Sequence, residues 1–264
     1  MKKLPISVYF VASNEEERIA RGLEAIKDWA DEIIVVNDDK CKDNTRKIAE
    51  SYGAKVITNP WTGFANQKSF ASKQCKNDWV LDLDADEEVS PELTAKLYEL
   101  FGGEELPKQA AFLMTWVVLY PGQEKPVKHS NVDRIIRLYN RKMAAIKEQD
   151  YSNDDRPKVH TGEIGRIDEP VYHRTILSFS HLEKKNTQLT YEQALHNVSR
   201  GKKISALKFY TDFPFKFLKY FFIRKMFLHG WYGFTLSIMS AYRNFMRLAK
   251  TREAMLVQQQ EKKK

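Results

Sequence analysis

An open, mostly parallel α/β sheet flanked by helices is the fold this sequence predicts, and three observations predict it. Strand-like and helix-like segments alternate β-α-β-α-β-α-β up to residue 84. That order asks for parallel strands joined by right-handed crossovers. Ile33-Ile34-Val35-Val36 is apolar throughout, as strands covered on both faces are. Three predicted strands end in polar clusters: Ser13-Asn14-Glu15, Asn37-Asp38-Asp39 and Asp84-Ala85-Asp86. Ligands of such sheets bind outside the carboxyl ends of the strands.

The elements follow in order. Residues 5–12 read as the first strand. The basic start Met1-Lys2-Lys3 and the apolar run Ile6–Val11 imitate a signal peptide, but the run is short and meets Glu15-Glu16-Glu17 at once. Ser13-Asn14 is expected to cap a helix whose core face is Ile19, Leu23, Ile26 and Ala30. After the strand at 33–36, Asp43-Asn44-Thr45 leads into a helix with Ile48, Ala49 and Tyr52, closed by Gly53. Lys55–Thr58 is a third strand, residues 66–76 a helix and residues 78–84 a fourth strand. Ser90-Pro91-Glu92 opens a helix over 91–101. Strands are expected near 111–119 and over Arg134–Tyr139, a charged loop over 148–158, and a helix over 187–200. From Phe213 onward the chain is aromatic and basic.

The fourth strand carries the chemistry. Trp79, Val80, Leu81 and Leu83 suit a strand interior. Asp84 and Asp86 emerge where it ends. Side chains two apart on an extended segment point the same way, so these carboxylates need a cation or a donor between them. A divalent metal held together with a substrate diphosphate meets that need with hard oxygen ligands. The plainer reading is a polar strand end ahead of the helix that starts at Pro91. Neither GxGxxG nor GxxxxGK[ST] occurs, which argues against a Rossmann dinucleotide site or a P-loop.

Composition bounds the rest. The 264 residues are 42% hydrophobic, enough for one large domain with an appendage. Cys41 and Cys75 provide neither a disulfide framework nor metal-ligand spacing. The net charge of +8 is uneven: residues 201–264 hold 14 Lys/Arg against 3 Asp/Glu, and residues 1–200 hold 29 against 32. We expect a domain over 1–200 and a helical extension over 201–264. A basic tail rich in Phe, Tyr and Trp points to an anionic membrane surface and away from nucleic acid. Met226–Tyr242 is shorter than a membrane span and is interrupted by His229 and Gly230. It is read as lying on the membrane, with Arg243, Arg247 and Lys250 on one helical face.

Several runs together resemble a known family. They are Ile6–Glu15, Ile33–Asp39 with Asp43-Asn44-Thr45, Trp61–Lys68, Leu83–Glu87, Asp133–Tyr139, Val159-His160, Pro170–His173 and Trp231–Phe234. In their order they resemble family 2 glycosyltransferases of the GT-A fold, and most closely bacterial enzymes that add glucose or a related sugar to the lipopolysaccharide inner core. The chain departs from that pattern at Asn37–Lys42, at Thr161, where the family has an acidic residue, and at His229.

The resemblance implies an inverting, Mg2+- or Mn2+-dependent transfer of a hexose from a nucleotide-diphospho sugar, UDP-glucose or similar, to a glycolipid or oligosaccharide acceptor. It implies work at the cytoplasmic face of the inner membrane. The chemistry asks for charge neutralisation at the leaving diphosphate, a base on the acceptor hydroxyl and an in-line donor. Asp84 is expected at ribose or metal and Asp86 on the metal, with His160 as a further metal or diphosphate ligand. Asn14, Glu15, Asp38 and Asp39 are expected at base and ribose. Lys68 reaches a phosphate or is merely an exposed helix lysine. Asp133 and Glu163 are the candidate bases. Two rivals stand beside this reading: a non-catalytic nucleotide-sugar or membrane-binding protein of the same fold, and a nucleotidyltransferase. Ser13–Glu17 opposes the latter, because it lacks the glycine-rich basic loop a triphosphate needs.

Overall fold

The computed structural model describes residues 2–126, 132–148, 155–202 and 204–261; residues 149–154 of the expected charged loop lie outside these. The chain runs β1 (Leu4–Ala12), α1 (Ile19–Ile26), β2 (Ala30–Asp38), α2 (Thr45–Ser51), β3 (Lys55–Asn59), α3 (Phe64–Gln74) and β4 (Trp79–Asp84). Next come β5 (Glu87–Val89), α4 (Pro91–Phe101), β6 (Ala111–Val118), β7 (Val132–Asn140), β8 (Ala144–Ile146), β9 (Pro157–Val159) and β10 (Ile164–His173). Three long helices follow: α5 (Phe179–Ser199), α6 (Ala206–Leu218) and α7 (Gly230–Glu261). A π-helical turn over Lys219–Ile223 and a 3-10 turn over Met226–His229 link the last two.

Eight strands form one sheet in the order β3-β2-β1-β4-β7-β6-β10-β5. The β3-β2-β1-β4 half is parallel. β7 runs antiparallel between β4 and β6, and β10 is parallel to β6. The carboxyl ends of β1, β2, β3, β4, β6 and β10 therefore share one edge with the amino end of β7. Alternation along β1 sends Val8 and Phe10 into one hydrophobic cluster and Tyr9 and Val11 into the other. Both faces of the sheet are thus covered, which is why its central strands are apolar without a break. Gly22 lets α1 lie against β5: a Cβ there would stand 2.7 Å from the Glu87 carbonyl oxygen.

Two expected caps differ in outcome. Ser90 accepts from the Leu93 amide and Pro91 takes the first helical position, as expected. Asn14 does not cap a helix. It sits at φ 57°, its Oδ1 accepts from the Lys42 amide, and α1 begins only at Ile19. Ala30, expected on the helix face, already belongs to β2.

The chain divides into two compact units: Met1–Leu119 with Asn131–Thr175, and Tyr120–Ser130 with Ile176–Lys264. The break falls at Thr175, ahead of the expected residue 200, because α5 packs along α7. Lys250 on α7 donates to Thr187 O and Thr190 Oγ1 on α5, both at 2.9 Å. Tyr120 belongs with the helices by stacking on Tyr232. Among the described residues no helix is long and apolar enough to cross a membrane.

Candidate active site

β4 delivers its acids to the carboxyl edge of the sheet, but not in the pairing the spacing suggested. The strand ends at Asp84 and the chain turns at once through Ala85 and Asp86. The carboxylates that share a face are therefore Asp82 and Asp84. The cations between them come from the protein. Lys68 of α3, wholly buried, places Nζ 3.2 Å from Asp82, 2.8 Å from Asp84 and 2.8 Å from Asp155. Arg137 of β7 bridges the same pair, donating from Nη1 to Asp82 and from Nη2 to Asp84 at 3.1 Å. Lys68 is thus no exposed helix lysine: among the described residues its Nζ is ion-paired with Asp82, Asp84 and Asp155.

Electrostatics follow this geometry. Burial works to raise Asp84, and Lys68 with Arg137 outweighs it, holding the carboxyl at about 2. Burial raises Asp82 against the pull of the same cations. Burial opposes the charge on Lys68, yet the carboxylates around it keep its pKa above the ordinary value. Glu87 lies fully buried behind the turn and accepts from the Asp84 amide at 2.9 Å. Burial, reinforced by the neighbouring Asp84 carboxylate, pushes it up to about 8.

Asp86 faces a different set of partners. Its Oδ2 lies 3.4 Å from Arg18 Nη1 and 3.4 Å from His173 Nε2, and its backbone oxygen accepts from the Arg174 amide at 2.8 Å. Burial raises its pKa, and His173 and Arg18 bring it below the ordinary value. Burial works to lower His173, and the hydrogen bond and charge of Asp86 outweigh it, raising its pKa above the ordinary value. Arg18 also pairs with Glu15.

The loops after β1 and β2 are tied to each other beside these acids. Asp43 accepts from the amides of Glu16 and Thr45, both at 3.0 Å, and Thr45 Oγ1 accepts from the Glu15 amide at 2.7 Å. Asp38, half-buried at the end of β2, accepts from Ser13 Oγ at 3.3 Å and from the Lys40 amide. Asp39 is exposed in the turn that follows. Asn14, Glu15, Asp38, Asp39, Lys68, Asp84 and Asp86 therefore belong to one edge.

Strand direction separates the remaining candidates. Asp133 lies at the amino end of β7, opposite Trp116, and so on the carboxyl edge. Glu163 immediately precedes β10, and its backbone oxygen accepts from Ala110 ahead of β6. Nine residues of β10 separate it from His173, roughly 30 Å at about 3.3 Å per residue. That distance puts Glu163 at the opposite edge of the sheet from Asp84 and Asp86. His160 is misplaced in the same sense. It follows β9, with its amide on Met143 O and Nε2 3.1 Å from Lys142 O, beyond the carboxyl end of β7. Asp84, Asp86 and His160 do not assemble, and no group of three or more His, Cys, Asp or Glu among the described residues could hold a metal. His173 stands beside Asp86 where His160 was expected.

The sequence matches the family described as Glycosyl transferase family 2 over residues 7–155. The chain belongs to this family. It is 39% identical over 97% of its length to an uncharacterized glycosyltransferase of Rickettsia typhi, of which it covers 89%. It is 26% identical over 94% of its length to the lipopolysaccharide core biosynthesis glycosyltransferase LpsC of Rhizobium meliloti, covering 92% of that protein. S. aureus TarS, solved in complex with UDP-GlcNAc, superposes with a TM-score of 0.50 at 15% identity, over 99% of this chain and 92% of that one. The fold is GT-A, and this glycosyltransferase acts on nucleotide sugars.

In this glycosyltransferase the residues that sequence reasoning left out of the site are Arg18, Asp82, Glu87, Arg137, Asp155 and His173. One of them announced itself. Asp82 interrupts the apolar run Trp79-Val80-Leu81, and an acid inside a buried strand demands a buried cation.

Proposed function

We propose that this glycosyltransferase moves a hexose, from UDP-glucose or a closely similar donor, to a lipopolysaccharide-core or related glycolipid acceptor with inversion at the sugar. The extension carries it to the cytoplasmic face of the inner membrane. The observation that carries the reading is the separation of roles along β4. Asp84 is fixed by Lys68 and Arg137, while Asp86 is left beside His173 at the mouth of the sheet edge. The likeness to LpsC supports the acceptor class.

The donor's nucleoside lies over the ends of β1 and β2, where Asn14, Glu15, Asp38 and Asp39 offer acceptors to base and ribose. Asp84, with both carboxylate oxygens held by Lys68 and Arg137, presents a preorganised edge to the ribose or to the ion beyond it. Asp86 Oδ2 and His173 Nε2 suit a divalent cation that takes its other ligands from the diphosphate and water, as Mg2+ and Mn2+ do. Such an ion, once bound with donor, would neutralise charge on the leaving diphosphate. Arg18 adds a fixed positive charge beside the same group. Asp133 is the base for the acceptor hydroxyl. Extending the pairing of Leu81 with Leu138 brings the start of β7 level with the turn after Asp84.

Thermal stabilisation by UDP, GDP, ADP and CMP, each with and without Mn2+, tests the donor site. We expect selective stabilisation by UDP that needs metal and disappears in Asp86→Ala. A folded protein indifferent to every nucleotide would overturn the reading. Transfer of labelled glucose from UDP-glucose to a lipopolysaccharide core acceptor then tests substrate class.

A further inference from the structure

The second unit exposes a surface that water alone does not explain. Phe222 is 57% exposed, Ile223 71% and Trp231 61%. Phe215, Leu218 and Phe227 are exposed beside them. Of these, Phe222 and Phe227 belong to one aromatic cluster. Phe221 is the hub, with ring centroids 5.1 Å from Phe222, 6.2 Å from Phe227, 5.4 Å from Phe217 and 5.9 Å from Phe234. Contiguous apolar surface of this kind marks an interaction site.

The tip is also built to hold its shape. Lys225 adopts φ 55°, reversing the chain between the π turn and the 3-10 turn. Gly233 lets α7 close on that turn: a Cβ there would stand 1.7 Å from the Met226 carbonyl oxygen. Charge then selects the occupant. Lys216, Lys219, Arg224 and Lys225 are interspersed along the chain with these aromatics, and the one acid between Lys208 and Trp231, Asp212, is buried. An aromatic segment interleaved with lysine and arginine complements a bilayer of anionic lipid. A second copy of the chain would bring the same positive charge against itself.

We propose that the turn from Phe215 to Phe234 is the segment that enters the membrane, with Phe222, Ile223 and Phe227 in the acyl region and the four basic side chains at anionic headgroups. This deepens the membrane reading given above, and it relocates the contact. The contact proposed does not use the face bearing Arg243, Arg247 and Lys250. Lys250 is spent on Thr187 and Thr190 of α5, and Arg247 on Asn244. Among the described residues no helix is long and apolar enough to span, and the contact proposed is interfacial.

The test is flotation of the full-length chain with phosphatidylcholine vesicles, plain or doped with phosphatidylglycerol, at low and high salt. We expect binding only to the doped vesicles, weakened by salt. The double variant Phe222→Asp/Ile223→Asp should lose at least about ten-fold in partitioning. The triple variant Lys219→Glu/Arg224→Glu/Lys225→Glu should lose about five-fold or more per residue, the worth of one basic residue near an anionic surface. Arg243→Glu should bind like the parent. All substituted side chains but Lys219 and Arg243 are exposed, and unchanged melting curves check that the variants fold. Parent-like flotation of either multiple variant, or no flotation of the parent, would overturn the proposal. So would a dimer in sedimentation that Phe222→Asp/Ile223→Asp dissociates without any vesicle binding. Release of UDP from UDP-glucose, measured without vesicles, is read separately. Its absence in the parent would sink the donor assignment and leave the flotation result standing.

Discussion

Lys68 Nζ lies 2.8 Å from Asp84 Oδ1 with no part of the lysine side chain exposed. A helix lysine is thereby turned inward to fix an acid at the mouth of the site. A buried ammonium is tolerated only when paired, and here three carboxylates surround it.

Removing that charge should cost both stability and activity. Lys68→Met leaves Asp82 and Asp84 facing each other with Arg137 alone. Breaking a buried ion pair from one side costs about 3–5 kcal/mol. Urea unfolding should register a loss of that size. Turnover should fall further than the folded fraction explains, because Asp84 loses its fixed orientation. A variant with unchanged unfolding midpoint would mean that Arg137 suffices.

Asp86 and Asp84 should separate kinetically. Asp86→Asn is expected to lower kcat by about 10²- to 10³-fold, the scale of losing one principal charge stabiliser. It should also abolish the response to Mn2+. His173→Ala should weaken Mn2+ activation by about 10- to 100-fold in metal affinity and leave nucleotide binding without metal unchanged. Titration of activity with Mn2+ for both variants reads this directly. If His160→Ala weakened metal activation instead, the assignment of His173 would be wrong.

The pH dependence of stability carries a signature of Glu87. Its folded pKa is raised from 4.5 to about 8 by burial and by Asp84. The folded state therefore keeps a proton that the unfolded chain releases near 4.5. Stability from this group is fully present below that value and is lost as pH rises through 8. Asp84 has the opposite sign. Lowered from 3.8 to about 2, it contributes above 3.8 and is lost as pH falls toward 2. Glu87→Gln, an isostere of the protonated acid, should flatten the alkaline fall in unfolding midpoint between about pH 5 and about pH 9. It should leave the acid limb intact. An unchanged alkaline limb would show that Glu87 is not the group responsible.

Much of this arrangement was legible in sequence, and the exceptions have physical causes. β1 to β4 announced themselves because each is a short apolar run ending in polar residues. β10 did not. Ile164–His173 lacks alternation and contains Pro170, and its register against β6 slips between Ile167 and Pro170. Proline removes a ladder donor and is tolerated where pairing is irregular. Without that strand, neither the position of His173 beside Asp86 nor the remoteness of Glu163 could be inferred. Lys68 was ambiguous because α3 is polar along most of its length and gives no sign of which face is buried. Only the three-dimensional meeting of α3, β4 and β7 reveals that Asp82 is the reason for both Lys68 and Arg137.

Asp133 and Glu163 are similar as isolated carboxylates, and both are exposed. They differ in which edge of the sheet they occupy. A base must come within hydrogen-bond reach of the acceptor hydroxyl, and the acceptor must lie where the donor's sugar does. Asp133→Asn should therefore cut kcat by about 10²- to 10⁴-fold, the usual contribution of general-base catalysis. The donor's Kd should be unchanged, because the proposed nucleoside and diphosphate contacts are elsewhere. Glu163→Gln should leave kcat and KM at parent values, its carboxylate standing at the opposite end of β10. Single-turnover transfer with both variants at saturating donor separates the two. Loss of turnover in Glu163→Gln with retained activity in Asp133→Asn would require the acceptor to approach from the amino edge, against the direction in which every parallel strand of this sheet delivers its polar residues.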